Sequence, residues 1–168
     1  MYEYGLPEPK RLEAEAAAPS SWQQLVADPA LVVPAGEEMV RFDASLQIFE
    51  RTATRPVEVY GTVVGEGQKI AALLGAANRD PAVFADPDRL DVTRSPNPHL
   101  GFGARIRFCL GAPLARVEVQ AVLGALRRRL PGLVLAAEPE RRPEFSSAGC
   151  GRSRWPPSPS RGPRRPLL

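Results

Sequence analysis

One cysteine, Cys109, stands between a glycine-rich loop and a helix-forming segment, and this arrangement constrains the chain more than any other feature of its sequence. Residues 97–116 read NPHLGFGARIRFCLGAPLAR. A thiol at the start of a helix faces unpaired backbone N–H groups and the positive end of the helix dipole. Arg105 and Arg107 lie just upstream and add positive charge. The sequence therefore favours a thiolate over a thiol at position 109.

Such a thiolate could be a nucleophile, a redox thiol or a metal ligand. A nucleophile needs a base, and the chain has one histidine, His99. A redox thiol needs a resolving partner, and the second cysteine, Cys150, lies in a segment that we expect to be disordered. A zinc site needs about four ligands, and two cysteines with one histidine make a poor set. What remains is a single thiolate ligand to haem iron, because the porphyrin supplies the other four donors.

Residues 102–111, FGARIRFCLG, resemble the haem-binding signature of the cytochromes P-450, and residues 112–116, APLAR, resemble its bacterial continuation. Phe102, Arg107, Cys109 and Gly111 match that signature, whereas Arg105 stands where the family has glycine. The glycine lets the loop turn tightly. A side chain forced into the left-handed conformation there costs about 1–2 kcal/mol, so we expect weakened haem binding.

The resemblance implies roles for several residues. Cys109 would be the proximal iron ligand, and Arg107 and Arg51 would pair with the haem propionates; the alternative for Arg51 is an exposed charge at a strand edge. The implied cofactor is haem b. The implied reaction is NAD(P)H-driven insertion of one oxygen atom into a small organic substrate. Electrons would come from a ferredoxin-type partner that docks on the proximal face, near Arg116.

A Glu-x-x-Arg motif, formed by Glu38 and Arg41, places opposite charges on one face of a predicted helix. Alone, such a pair is typical of solvated surface. Residues 78–81, NRDP, and residues 84–91, FADPDRLD, follow and resemble two further elements of the family in the family's order. The resemblance implies that Arg89 joins Glu38 and Arg41 in a buried charge triad, whose role is structural and not catalytic.

The fold class expected is mainly α with a small β component, the C-terminal portion of the cytochrome P-450 fold. Ser20 or Ser21 would cap a helix over residues 22–27, and Pro34 and Gly36 would shorten the next helix. Residues 69–74 would be the partner of a strand formed by residues 51–61. After Cys109, a helix is predicted with one apolar stripe, consisting of Leu110, Leu114, Val117 and Ala121.

The C-terminal residues 146–168 differ in composition from the rest. Eighteen of these 23 residues are Ser, Gly, Pro or Arg, and they include five arginines and no acidic residue. We expect disorder there. The rest of the chain has a net charge of −2, so the formal net charge of +3 does not indicate a nucleic-acid-binding face. The predicted division is a lead-in over residues 1–21, a haem-thiolate region over 22–145 and this tail.

Nothing in the sequence predicts a membrane segment or a signal peptide, because no apolar run of about 18 residues occurs and Glu3, Glu8 and Lys10 interrupt the N-terminus. Two cysteines without an evident pairing favour a reducing compartment. We therefore expect a soluble, cytoplasmic protein with no membrane or nucleic-acid partner. Twenty arginines against two lysines indicate GC-rich coding and a bacterial source.

The resemblance covers residues 22–145 only. In the family, an N-terminal part supplies the helix over the distal haem face and most of the substrate pocket, and nothing before Trp22 resembles it. The sequence thus predicts a truncated monooxygenase fragment that is inactive alone. One alternative is a non-enzymatic haem-binding or sensor fragment. The other is an interaction or structural remnant in which Cys109 is simply buried.

Overall fold

A computed structural model describes residues 20–134 of the 168. Its helices are α1 (Ser21–Ala27), α2 (Val32–Phe42), α3 (Leu74–Ala77) and α4 (Ala112–Arg129), with 3-10 turns at Pro29–Leu31 and Arg105–Arg107. Its strands are β1 (Ile48–Thr52), β2 (Val57–Val59), β3 (Thr62–Val64) and β4 (Lys69–Leu73). The described part is thus mainly helical with small sheets, as predicted. The predicted tail and nearly all of the predicted lead-in lie outside it.

Helix α1 forms where the sequence predicts a helix. The Ser20 hydroxyl accepts the N–H of Gln23, while the Gln23 side chain accepts the N–H of Ser20, so the two residues form a capping box. The helix ends at Asp28, whose carboxylate accepts the N–H of Ala30 and caps the short 3-10 turn that follows. The turn leads directly into α2.

Helix α2 is longer than the sequence indicates, and the expectation that Pro34 and Gly36 shorten it is wrong. Pro34 lies in the first turn, where a missing N–H breaks no helical hydrogen bond. Gly36 is buried against α4, and a Cβ atom there would lie 3.3 Å from Cγ1 of Val119. The glycine therefore permits close packing of α2 against α4.

The strands form two antiparallel pairs. The predicted pairing of residues 69–74 with residues 51–61 is confirmed for Arg51 and Thr52 only, because residues 57–59 form a separate strand with another partner. Strand β1 pairs with β4, with Arg51 opposite Ile70, while β2 pairs with β3, with Glu58 opposite Val63. The β2–β3 turn is at Tyr60 and Gly61, both with positive φ. A tight turn at this point closes a local hairpin, so residues 69–73 pair instead with the more distant strand β1.

The hydrophobic core lies between α1, α2 and α4. It contains Leu25, Ala35, Val92 and Leu123, and Val119 packs against it. The predicted apolar stripe of α4 is not the buried one: Leu114 and Val117 are each 63% exposed, and Leu110, just before the helix, is fully exposed. None of the helices within residues 20–134 has the length and apolar character needed to cross a membrane.

Candidate functional site

Cys109 lies at the end of a closed loop, which we call the cysteine loop and define as residues 102–111. The N–H of Cys109 donates to the carbonyl of Phe102 at 2.8 Å, and the N–H of Gly103 donates to that of Leu100 at 2.8 Å. A 3-10 turn, Arg105–Arg107, reverses the chain between them. The loop thus has its own backbone hydrogen bonds, which fix the position of the cysteine backbone.

Two residues of this loop have left-handed backbone geometry. Gly103 has φ of +72°, and a Cβ atom on it would lie 2.9 Å from the Arg107 carbonyl oxygen, so only glycine fits. Arg105 has φ of +52°. The prediction that a side chain at position 105 is forced into this conformation is confirmed, and the cost is about 1–2 kcal/mol.

The Cys109 thiol is free and exposed. A Cβ atom placed on Gly111 would lie 3.8 Å from Cys109 Sγ, so the sulfur lies beside the N-cap residue of α4. The alternative in which Cys109 is simply buried is therefore wrong for this fold. Large apolar side chains are exposed before and after the cysteine: Ile106 (95%), Phe108 (45%) and Leu110 (100%).

The two arginines predicted to contact the cofactor are both exposed. Arg107 closes the 3-10 turn two residues before Cys109. Arg51 lies on β1, where its guanidinium is 5.3 Å from the centre of the Phe49 ring and donates to the Glu50 carbonyl. Within residues 20–134, no hydrogen bond or ion pair joins Arg51, Arg107 and Cys109 to one another, and their roles toward a cofactor stay predictions.

The Glu38–Arg41 pair lies in the interior of the fold. Both side chains are fully buried, and Nε and Nη2 of Arg41 donate to Oε2 and Oε1 of Glu38, each at 2.8 Å. The remaining Arg41 donors reach three backbone carbonyls, those of Asn78, Pro87 and Arg89. All five N–H groups of the guanidinium thus have acceptors.

The Glu38 carboxylate also accepts three hydrogen bonds from donors other than Arg41. Its other donors are the Asp91 N–H at 2.9 Å, Arg94 Nε at 3.1 Å and Asn97 Nδ2 at 3.1 Å. We call Glu38, Arg41, Arg94 and their partners the Glu38 network. It ties α2 to residues 78–97, the irregular segment that leads into the cysteine loop.

The second arginine of this network is Arg94, and the prediction of Arg89 is wrong. The Arg94 side chain is 10% exposed and also donates to the carbonyls of Ala85 and Asp86. Arg89 is exposed, and it contributes only its backbone carbonyl, which accepts from Arg41. The N–H of Arg89 bonds to the Asp86 carbonyl in a turn, which holds its backbone toward Arg41 and leaves its side chain in solvent.

The Glu38 carboxylate is charged despite its burial. Burial raises its pKa, but the hydrogen bonds from Arg41 and the Asp91 N–H and the charges of Arg41 and Arg94 outweigh this effect, so the pKa lies below the ordinary 4.5. A buried ion satisfied on all sides is costly to disturb, because the loss of one partner leaves the others uncompensated.

Glu37, which the sequence reasoning missed, occupies a second and partly exposed cluster. It accepts two hydrogen bonds from Arg116 and one from His99. The Arg116 hydrogen bonds lower the pKa of Glu37 most, burial opposes them, and the His99 hydrogen bond lowers it further. We call Glu37, Arg116 and His99 the Glu37 cluster. Their wide sequence separations left no local signal.

The residues around Cys109 fit a flat, apolar cofactor whose metal the sulfur would bind. The exposed thiol offers one soft ligand, the exposed Ile106, Phe108 and Leu110 offer apolar contact area, and Arg107 offers charge to acidic groups. No group of three or more His, Cys, Asp or Glu side chains in residues 20–134 is arranged to hold a metal ion.

An exposed cysteine at the end of a tight loop before a helix, beside a buried Glu-x-x-Arg network, is the arrangement expected of a haem-thiolate protein. The family model for Cytochrome P450 matches residues 34–145. The chain belongs to the cytochrome P450 family. Membership implies a haem cofactor.

Several bacterial relatives are similar over most of the described region. Nocardicin C N-oxygenase of Nocardia uniformis is 48% identical over 127 residues, covering 74% of this chain and 32% of the relative. The Biotin biosynthesis cytochrome P450 of Bacillus subtilis is 42% identical over 118 residues, covering 70% and 30%.

The fold is also similar to solved structures. P450BioI in complex with an acyl carrier protein ligated to hexadec-9Z-enoic acid aligns with a TM-score of 0.75 and 39% identity, over 82% of this chain and 36% of that chain. HmtT, involved in himastatin biosynthesis, aligns with a TM-score of 0.73 and 44% identity, over 80% and 34%. The chain therefore spans about a third of the length of the relatives that it matches.

Proposed function

We propose that this chain carries the thiolate-bearing, proximal part of a bacterial cytochrome P450 monooxygenase, with Cys109 as the axial ligand of haem b. The observation that carries this proposal is the exposed Cys109 thiol beside the N-cap of α4, at the end of a loop with its own backbone hydrogen bonds. The family match includes this loop.

The other residues of the loop would bind and orient the cofactor. Ile106, Phe108 and Leu110 would bury apolar surface against the macrocycle, at about 25 cal/mol for each Å² removed from water. Arg107 and Arg51 would donate charge-assisted hydrogen bonds to its propionates. When bound, haem with a thiolate ligand supplies the chemistry of oxygen activation. The protein residues position the cofactor and tune its iron through the sulfur.

The substrate class and the source of the electrons are part of the same proposal. The substrate would be a small organic molecule, and a ferredoxin-type protein would carry electrons from NAD(P)H to the proximal side, where Arg116 lies. The relatives are named for different substrates, so no particular one is carried over. Because the chain spans about a third of its relatives, we propose that residues 1–168 do not turn over substrate without the rest of the family fold. The comparisons do not favour a non-enzymatic haem-binding or structural remnant.

The experiment is a reduced carbon-monoxide difference spectrum of the full chain after addition of hemin. We expect a red-shifted Soret band that disappears in Cys109→Ala. Cys150→Ser is the matched control, since it changes the second cysteine of the chain, and it should keep the band. Absence of the band in the unaltered chain, or the same spectrum from the chain and Cys109→Ala, would overturn the proposal.

A further inference from the structure

The Glu37 carboxylate joins two helices at the cysteine loop. Arg116, in the second turn of α4, donates from Nε to Glu37 Oε1 at 2.7 Å and from Nη2 to Oε2 at 2.9 Å. The two side chains are 33% and 24% exposed. A carboxylate that accepts two parallel bonds from one guanidinium fixes the orientation of both groups. Glu37 therefore sets the plane in which the Arg116 guanidinium lies.

The Arg116 guanidinium in turn covers two aromatic rings of the cysteine loop. Its central carbon lies 4.7 Å from the ring centre of Phe102 and 5.9 Å from that of Phe108, and the two rings are 6.4 Å apart. These distances are within the range of a cation–π contact. Phe108 immediately precedes Cys109, and the Phe102 carbonyl accepts the Cys109 N–H. Arg116 thus contacts both sides of the loop that carries the thiol.

His99 connects Glu37 to the start of the same loop. The backbone N–H of Gly101 donates to His99 Nδ1 at 3.1 Å, and a backbone amide can only donate. Nδ1 is therefore an acceptor, the proton lies on Nε2, and Nε2–H donates to Glu37 Oε2 at 3.0 Å. The His99 side chain is only 3% exposed, and its ring centre is 5.8 Å from that of Phe102.

We infer that Glu37 is a positioning residue for Cys109: it holds Arg116 and His99, and these hold the two sides of the cysteine loop. The inference rests on the proposed role of Cys109 as iron ligand. Glu37 does not contact the sulfur and acts through the guanidinium, the imidazole and the two phenylalanine rings. A ligand held in place before its cofactor arrives avoids the ordering cost at the moment of binding.

The test is amide hydrogen exchange on the full chain without haem, in Glu37→Gln and in a matched control. Glutamine keeps the size of the side chain but replaces one acceptor oxygen with a group that cannot accept from Arg116. The amides of Gly103 and Cys109 should then exchange about tenfold faster, which corresponds to the loss of one charge-assisted hydrogen bond. Glu50→Gln makes the same change in an exposed pair with Lys69 and should leave both rates unchanged.

A second variant separates orientation from charge. Arg116→Lys keeps the positive charge and loses the paired hydrogen bonds and the planar contact with the rings. It should also accelerate exchange at Cys109. Because both residues act through one contact, the double variant should exchange no faster than the faster single variant. This variant also decides the question if Glu37→Gln does not fold.

Three results would overturn the inference: unchanged exchange at Cys109 in Glu37→Gln, equal acceleration across α1, β1 and the loop, or additive effects in the double variant. The hemin spectrum shows whether the inference about Glu37 fails alone or whether the proposed function of Cys109 fails as well. If Cys109 is not an iron ligand, the unaltered chain gives no red-shifted band, whatever the exchange rates. If it is, Glu37→Gln should lower the share of the red-shifted band, while Glu50→Gln should not.

Discussion

Two adjacent glutamates on α2 hold two regions of opposite character. Glu38 is fully buried, and its carboxylate accepts from Arg41, Arg94, Asn97 and the Asp91 N–H. Glu37 is partly exposed and holds the cysteine loop, where the thiol and several apolar side chains face outward. One turn of helix thus connects a closed polar interior to an open apolar surface.

The contrast between these two regions shows which residues maintain the fold and which are available to bind a ligand. The Glu38 carboxylate and the Arg41 guanidinium have their hydrogen bonds occupied from within, so this pair can fix the segment before the loop but offers nothing to a ligand. The cysteine loop has backbone hydrogen bonds of its own and exposed side chains, so a cofactor can contact the side chains without breaking those bonds. Changes to the first region should act on stability, whereas changes to the exposed side chains of the second should act mainly on ligand binding.

The largest effect expected is that of Arg41→Ala. The change removes two hydrogen bonds from Glu38 and leaves a buried carboxylate without its main partner. We expect a loss of about 3–5 kcal/mol in the free energy of unfolding, measured by urea denaturation and circular dichroism. Lys69→Ala, in an exposed ion pair, is the control and should change it by less than about 1 kcal/mol. A similar loss in both variants would remove the contrast between buried and exposed pairs.

A sharper test compares two arginines of the same segment. Arg94→Ala removes hydrogen bonds to Glu38 and to two backbone carbonyls, and it should lower the free energy of unfolding by about 2–3 kcal/mol. Arg89→Ala should change it by less than about 0.5 kcal/mol, because only the backbone carbonyl of Arg89 takes part. Urea denaturation of both variants checks this, and equal losses would restore Arg89 as the partner of Glu38.

These two arginines also show how far the sequence predicts the site. The Glu38–Arg41 spacing defines which side chains share a helical face, and the left-handed position of Arg105 follows from the glycine expected there, so both were predictable. The choice between Arg89 and Arg94 depends on the path of an irregular turn. Spacing carries no information about that path, because no helical or strand period applies to it.

Contacts between distant parts of the chain could not be predicted from the sequence, for related reasons. Helix α4 carries apolar residues on both faces, so periodicity could not indicate that Val119 and Leu123, and not Leu114 and Val117, pack inward. The pairing of β1 with β4 spans a complete local hairpin, and both candidate partners of residues 69–73 have strand composition. Glu37, His99 and Arg116 meet only after α2 and α4 have packed.

Within the cysteine loop, a third pair of variants should have moderate and opposite effects. Gly103→Ala puts a side chain at φ of +72°, against the Arg107 carbonyl, and should destabilise the loop by at least about 1–2 kcal/mol. Arg105→Gly removes a side chain at φ of +52° and should stabilise it by roughly 0.5–1 kcal/mol, since the relief of strain exceeds the added flexibility of glycine. Thermal unfolding measures both, and tighter hemin binding should accompany Arg105→Gly. Destabilisation by Arg105→Gly would contradict the strain argument.

The smallest effect concerns pH, and it returns to the two glutamates. The pKa of Glu38 and that of Glu37 both lie below the ordinary 4.5. Each carboxylate therefore contributes stability that is fully present above pH 4.5 and is lost as the pH falls through the lower pKa of the folded state. The difference in unfolding free energy between the unaltered chain and Glu38→Gln should shrink on acidification below pH 4.5. The corresponding difference for Glu37→Gln should also shrink, but by less, because Glu37 is partly exposed. Urea denaturation at several pH values measures both differences. A difference that grows on acidification would mean that the buried Glu38 carboxyl group is held protonated. The contrast between a charged interior at Glu38 and an open surface at the cysteine loop would then be wrong.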